Sequence, residues 1–322
     1  MSGAGSLLQS LELHPVRIPM KHRFRRVEYR DAVLIRGPAG WGEFSPFPDY
    51  PPGVTTRWLA AALELACGLL PAPGRTSVPV NVTIPVVAPD LAARLVRASG
   101  ATTAKVKVGD PSDDDKSEQE RLAAVREALG ESGRLRIDVN AAWDLETAVS
   151  RLNGLAHFDL EYVEQPVATI EEMSALRHRV STPLAIDELV RQSPRPIEII
   201  ESGIADFLIL KVQPMGGVSR VLELAGRSPV PVIISSALET SVGMYAGALA
   251  ASRLAQHGYA FGLGTVSLLA GDPTKEPLIP EGGMLEVRRP EPDPALVSKW
   301  RPDRDHAAEM LRRVRAAAEM LT

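Results

Sequence analysis

From residue 81 onward the chain alternates short β-rich apolar runs with amphipathic segments. The runs at 81–87, 103–108, 134–139, 160–164, 184–187, 206–211, 231–235 and 259–263 read as strands. Between them, 90–99, 116–129, 144–156, 169–180, 194–202, 217–226 and 242–257 carry apolar residues at helical spacing. Thr169 and Glu172 stand at capping-box spacing, and Gly100 and Gly130 sit where helices should stop. Eight strands and seven intervening helices, one unit every ~20–30 residues, predict right-handed βα units closing into a parallel barrel. An open doubly wound sheet is the competing arrangement. It is the weaker one, since no Gly-x-Gly-x-x-Gly follows the first strand.

The two ends follow a different pattern. Trp41 to Gly53 (WGEFSPFPDYPPG) cannot be a regular helix, because its prolines lack donors and fix φ. It reads as a strand ending near Glu43, an exposed loop, then a helix over about 54–70. After about residue 272 a Pro/Gly-rich segment leads to a helix over about 304–321. The expected organisation is therefore an α+β cap made of residues 1–80 plus 273–322 around a barrel of residues 81–272.

Composition narrows the function classes. The chain of 322 residues is 45% hydrophobic and 24% charged, an ordinary globular mixture, and its formal net charge of −4 offers no bulk attraction for nucleic acid or anionic membrane. A single cysteine, Cys67, excludes an internal disulfide and fits a reducing cytoplasm. The longest apolar stretch, 242–251, is about half the ~20 residues of a membrane helix, and the N-terminus lacks signal-peptide character. The expected partner is a small molecule, and monomer and homo-oligomer are both left open.

Chemistry in a βα barrel sits where strands end. Polar residues close the expected strands in order: Lys105-Val-Lys107, Asp138-Val-Asn140, Glu164-Gln165-Pro166, Asp187-Glu188, Lys211, and Ser235-Ser236. Steps of 31, 26, 23, 24 and 24 residues from Lys107 to Ser235 are each one βα unit, so these side chains should ring one mouth. Asp138, Glu164 and Asp187 come from three successive strands. Three hard oxygen donors converging there suit Mg²⁺ better than Zn²⁺, as no histidine or cysteine falls in the ring. Without a cation they would repel one another. Such a site suggests abstraction of a proton beside a metal-bound carboxylate. A lysine whose pKa is lowered by a neighbouring ammonium can be the base. Lys107 and Lys211, from the second and sixth strands, would approach opposite faces of the substrate; one abstracts while the other reprotonates or stabilises charge.

Each piece alone has a plainer reading: a Lys-x-Lys strand can be a solvated edge, a strand-terminal Asp a helix cap, and Lys211 a rim residue with its head in water. Order and spacing lift the set above these. Other groups stay plain. The acidic run Asp113 to Asp115 suits a helix N-terminus, the six histidines show no metal spacing, and Cys67 reads as core. The basic cluster Lys21 to Arg26 reads as a loop over the site.

The ordered set Lys105-x-Lys107, Asp138-x-Asn140, Val163-Glu164-Gln165-Pro166, Asp187-Glu188 and Lys211 with Gly216-Gly217 resembles the enolase superfamily, and within it the muconate-lactonising subgroup. The resemblance implies a modified (β/α)7β barrel under an α+β capping domain formed by the N-terminal region and the C-terminal tail. Arg136-Ile-Asp138-Val-Asn140, the 235–241 segment SSALETS and Gly262-Leu-Gly-Thr265 are most similar to the o-succinylbenzoate synthase family. That family dehydrates 2-succinyl-6-hydroxy-2,4-cyclohexadiene-1-carboxylate to 2-succinylbenzoate in menaquinone biosynthesis. By the resemblance, Lys107 removes the proton and then assists departure of the hydroxyl, Lys211 stays cationic beside the enediolate, and Lys105 assists at the carboxylate. Asp138, Glu164 and Asp187 hold Mg²⁺. Ser235, Ser236 and backbone near Gly262 hold the succinyl arm, while Arg136 and Asn140 line the pocket or support the metal ligands. N-acylamino acid racemisation or cycloisomerisation would use the same site. The end of the eighth strand lacks the paired aspartates by which dipeptide epimerases hold an amine, which counts against that activity.

Overall fold

The computed structural model describes residues 3–24, 27–255 and 258–321. Arg25 and Arg26 of the basic cluster, and His257 among the six histidines, lie outside the described residues. Three antiparallel strands, β1 (Glu12–Phe24), β2 (Val27–Gly37) and β3 (Gly40–Phe44), form a sheet in sequence order. Along β2 the side chains alternate between two partners, as a pleated strand requires. Val33 and Ile35 face Trp58, Leu59 and Ala62 of the helix Pro52–Cys67, whereas Ala32 and Leu34 pack with Val242 of a barrel helix. The sheet lies close on the first of these helices. A Cβ on Gly42 would run into the Ala62 carbonyl, so only glycine fits there. The C-terminal helix Arg304–Met320 adds Met310, Val314 and Ala317 to the same apolar cluster, joining the two chain ends in one cap.

β4 (Ser77–Pro79) leads into a parallel sheet of seven strands: β5 (Val82–Ile84), β6 (Thr103–Lys107), β7 (Arg134–Asp138), β8 (Leu160–Glu164), β9 (Leu184–Ile186), β10 (Phe207–Lys211) and β11 (Val232–Ser235). Past the barrel, β12 (Met284–Glu286) returns to pair antiparallel with β4. The strands read as near-continuous apolar runs because both faces are covered; β10 is buried at every position. The expected helices follow, among them Pro89–Ser99, Asp115–Leu129, Val218–Gly226 and Ser241–Arg253. Thr169 and Glu172 make a full capping box, and Gly100 ends its helix at φ 62°. Asp114 of the acidic run caps a helix by accepting from the Ser117 N–H at 2.8 Å.

Two expectations differ from the structure. The eighth strand, 259–263, forms no ladder. Phe261 bridges to Val80 and Gly262 to Ser235, both parallel, so two residues close the barrel. Gly258, Gly262 and Gly264 weaken that segment as a strand. The stretch Lys21 to Phe24 is the end of β1 and not a loop, because Phe24 pairs with Val27 across the hairpin after an irregularity beyond Pro19. Cys67 closes its helix half-buried. Among the described residues, no helix is long and apolar enough to cross a membrane.

Cap and barrel are joined by a buried carboxyl group. Glu43 of β3 accepts from the Thr240 hydroxyl at 2.5 Å, the Thr240 N–H at 3.1 Å and the Gly243 N–H at 2.9 Å, at the start of the helix Ser241–Arg253. Burial, assisted by the nearby Glu239, pushes its pKa from 4.5 up to about 7 against those hydrogen bonds. The folded chain thus keeps a proton that the unfolded chain gives up, so this contribution is complete below pH 4.5 and lost as pH rises to about 7. It amounts to about 3 kcal/mol. Urea midpoints of the wild type should therefore decline across that window relative to Glu43→Gln, whose profile lacks the decline. Parallel profiles would mean that Glu43 ionises normally.

Candidate active site

The parallel register sets the site. Lys107 of β6 lies beside Asp138 of β7, which lies beside Glu164 of β8, one row across three strand ends. Asp187 follows β9 and Lys211 ends β10 beside Ser235. Period two places Lys105 on the same side as Lys107.

Anions and cations interleave at the closed end of the pocket. The Lys107 ammonium donates to Asp138 Oδ2 and, at 2.6 Å, to Asn140 Oδ1. Lys105 Nζ is 2.6 Å from Glu164 Oε2 and 3.5 Å from Asp138 Oδ2. Lys211 Nζ is 2.5 Å from Asp187 Oδ2. All three carboxylates are buried. Burial works against ionisation of Asp138, but Lys107, Lys105 and Lys211 together hold its pKa well below the usual carboxylate range. Glu164 goes the other way: burial and then the charge of Asp138 raise its pKa. Burial disfavours the Lys105 ammonium, yet Glu164 and Asp138 outweigh it and keep it protonated. Lys107 is the most exposed of the three lysines, its side chain 12% accessible against 7% for Lys105 and 5% for Lys211.

The three carboxylates are held apart by ammonium groups. Among the described residues, no three His, Cys, Asp or Glu side chains gather closely enough to form a finished ion site. The donor set nevertheless fits a hard cation. Glu164 Oε1 is buried and accepts no hydrogen bond, with Lys211 Nζ at 4.0 Å, so an anionic oxygen faces the row with capacity to spare.

Most of the expected residues meet here. Lys105, Lys107, Lys211, Asp138, Ser235, Ser236 and Gly262 line one pocket, roofed by Phe24 and Phe47 of the cap. Asn140 bridges Lys107 to Glu188 Oε1, the latter at 3.2 Å. Arg136 is not brought to that pocket. It is fully buried lower in the barrel, bonded to Glu161 Oε2 at 2.5 Å and the Ala260 carbonyl at 2.8 Å, and stacked on Tyr162. The Ser236 hydroxyl is engaged by its own turn and by a neighbouring segment, 2.5 Å from Glu239 Oε2 and 2.6 Å from Thr265 Oγ1.

Sequence reasoning passed over Arg191, and it named Gln165 without giving it a role. Arg191 donates to Asp187 Oδ1 at 3.0 Å and Glu188 Oε1 at 2.5 Å, and to the Tyr50 hydroxyl of the cap loop. Its signal was available: on a helix begun at Asp187, Arg191 is four residues on and on the same face. Gln165, at φ 41°, accepts the Asp187 N–H at 3.0 Å through its side chain and so fixes the start of that turn.

Residues 88–292 match the family described as "Enolase C-terminal domain-like", and residues 16–66 match "Enolase N-terminal domain-like". The chain belongs to the enolase superfamily. It is 50% identical over 272 residues to an o-succinylbenzoate synthase of Thermobifida fusca, covering 84% of this chain and 86% of that protein. It is 43% identical over 300 residues to an o-succinylbenzoate synthase of Mycolicibacterium smegmatis, covering 92% of each. In fold it resembles a muconate lactonizing enzyme from Pseudomonas fluorescens, with TM-score 0.77 and 19% identity over 91% of this chain and 98% of that one. The L-Ala-D/L-Glu epimerase from Bacillus subtilis gives 0.73 and 23% over 88% and 96%.

Gly262 shows how tightly the enolase-superfamily pocket is built here. A Cβ on it would stand 2.5 Å from Ser235 Oγ. Gly262→Ala should displace that side chain and cost about 1–3 kcal/mol of stability, read by urea unfolding. A wild-type midpoint would show that the wall can yield.

Proposed function

We infer that this chain catalyses the dehydration of 2-succinyl-6-hydroxy-2,4-cyclohexadiene-1-carboxylate to 2-succinylbenzoate, a carbon–oxygen lyase reaction of menaquinone biosynthesis. The observation that carries this is the 50% identity with an o-succinylbenzoate synthase, sustained over 84% of the chain. A small-molecule carboxylate substrate and a cytoplasmic setting belong to the same proposal, as does the division into a cap of residues 1–80 plus 273–322 and a catalytic barrel of residues 81–272.

In this reading Lys107 is the acid/base. Its Nζ, once neutral, takes the proton from the ring carbon bearing the carboxylate, and the C–H electrons pass into the carboxylate as an enediolate. Their return expels the neighbouring hydroxyl, which takes the proton back from Lys107 and leaves as water from the same face. The ring becomes aromatic and the lysine is restored. Three features support Lys107: it is the most exposed lysine of the site, Asp138 and Asn140 hold its ammonium in place, and Phe24 lies 5.2 Å away as a dry wall. Lys211, deeper and tied to Asp187, is the cation beside the enediolate, and Lys105 assists at the carboxylate.

The chemistry calls for a divalent cation. We propose Mg²⁺, with Asp138, Glu164 and Asp187 as the residues that would hold it; bound there, it would supply positive charge to the substrate carboxylate as the proton leaves. We propose that Ser235 and the backbone at Gly262 receive the succinyl arm, with Ser236 supporting the turn behind them. Arg136 would act from below, bracing the strand that carries Asp138.

An absorbance assay with the cyclohexadiene substrate and Mg²⁺ tests the reaction directly, and negligible turnover by folded protein sinks it. Lys107→Ala should lower kcat by about 10²–10⁴-fold with an unchanged circular dichroism spectrum. A wild-type rate would reassign the base. Asp187→Asn should weaken Mg²⁺ binding by calorimetry by more than the about 10–100-fold typical of losing an outer-shell partner. Equal affinity would remove Asp187 from the ligand set.

A further inference from the structure

The pocket wall after β11 is a turn whose backbone is held from two sides by buried charge. On one side stands Arg30, a residue of β2 in the cap that is 1% exposed and does not line the pocket. Its Nε donates to the Leu238 carbonyl at 2.9 Å and its Nη2 to the Ala237 carbonyl at 3.1 Å. The same Nη2 donates to the Ser45 carbonyl, and the guanidinium lies 4.5 Å from the centre of the Phe47 ring. On the other side Glu239, 3% exposed, accepts from the Ser236 hydroxyl at 2.5 Å and the Ala237 N–H at 2.8 Å. The Leu238 N–H in turn donates to Ser236 Oγ at 2.9 Å.

The turn therefore has its carbonyls fixed by a cation and its donors by an anion. It needs both, since Leu238 sits at φ 65°, a left-handed conformation that a branched residue adopts only when its surroundings hold it there. Ala237, Leu238 and Phe47 are pocket walls, and Arg30 touches all three. A guanidinium is suited to this role because its rigid planar fork reaches several acceptors at once, which an ammonium on a flexible stem does not.

We propose that Arg30 and Glu239 are positioning residues that lock the 236–239 turn and the Phe47 roof into the shape that receives the arm of the substrate remote from the reacting carbon. This rests on the reaction proposed above for the identity of that arm, but the locking of the turn does not. The clamp governs binding more than chemistry, because neither residue lines the pocket in which the three lysines lie.

Three variants test it: Arg30→Lys, Arg30→Met and Glu239→Gln. Each should raise KM for the cyclohexadiene substrate by about tenfold while kcat changes less than about threefold, the pattern of lost ground-state binding. Each should also speed amide hydrogen exchange at Ala237 and Leu238. Arg30→Lys should fail to rescue, since it keeps the charge without the fork. Should the Arg30 variants not fold, Glu239→Gln decides alone. A lowered melting temperature with wild-type KM and unchanged exchange would reduce both residues to structural supports and overturn the proposal, as would full rescue by lysine. Absence of turnover in the wild type would instead refute the reaction, and exchange at the turn would still decide the clamp.

Discussion

Three carboxylates and three ammonium groups packed into a water-poor strand-end row impose the constraint on which the rest of the structure depends. Each charge loses its hydration on burial, a loss that only close opposite charge and full hydrogen bonding offset. The spacing must therefore be held by something stiffer than the side chains. Parallel register does this: Lys107, Asp138 and Glu164 are direct neighbours across β6, β7 and β8. A one-residue slip in any of these strands would turn its charges to the opposite face, into apolar packing. The row is also uneven. Three lysines make Asp138 strongly acidic, while burial and Asp138 leave Glu164 less willing to ionise. That imbalance, with Glu164 Oε1 accepting no hydrogen bond, makes the row receptive to a further positive charge.

The cap extends the same logic outward. Its strands and loops do not only cover the pocket; they reach into the barrel with polar side chains that end on backbone or on site residues. Glu43 meets the start of the helix Ser241–Arg253, Arg30 meets the turn after β11, and Tyr50 meets Arg191, which in turn holds Asp187. Apolar contact alone would let the cap slide on the barrel, since such burial is non-directional. Buried, directional contacts fix its position, and the roof residues Phe24 and Phe47 are placed as a result.

Much of the barrel was legible along the chain because its strands are buried on both faces and its helices on one, which writes short apolar runs for the first and a helical period for the second. The ring of polar strand ends could be found without coordinates for the same reason: one βα unit separates each from the next. The eighth strand was overread, since a count of apolar residues does not weigh Gly262 within 259–263 or the glycines that flank it, where two residues bridge. The strand at Lys21 to Phe24 was read as loop because the stretch is basic, and charge on a partly exposed strand looks like a loop. By the resemblance Arg136 was expected to line the pocket or to support the metal ligands, and the structure does not bring it to the pocket. Lying two residues before Asp138 on the strand, it falls one layer deeper, where it meets Glu161 and Ala260.

By itself the sequence determined the barrel, the order of the charged ring and the residue types available for oxygen-ligand and lysine chemistry. Those are matters of local period and of spacing by one repeated unit. Only the tertiary structure decided which lysine faces which carboxylate, that Ser236 meets Thr265, and that Arg30, Arg191 and Glu239 stand behind the site. These depend on contacts between residues as far apart as Arg30 and Leu238. Such contacts carry no periodic signature, because the two partners belong to separate elements whose meeting is set by how the cap docks on the barrel.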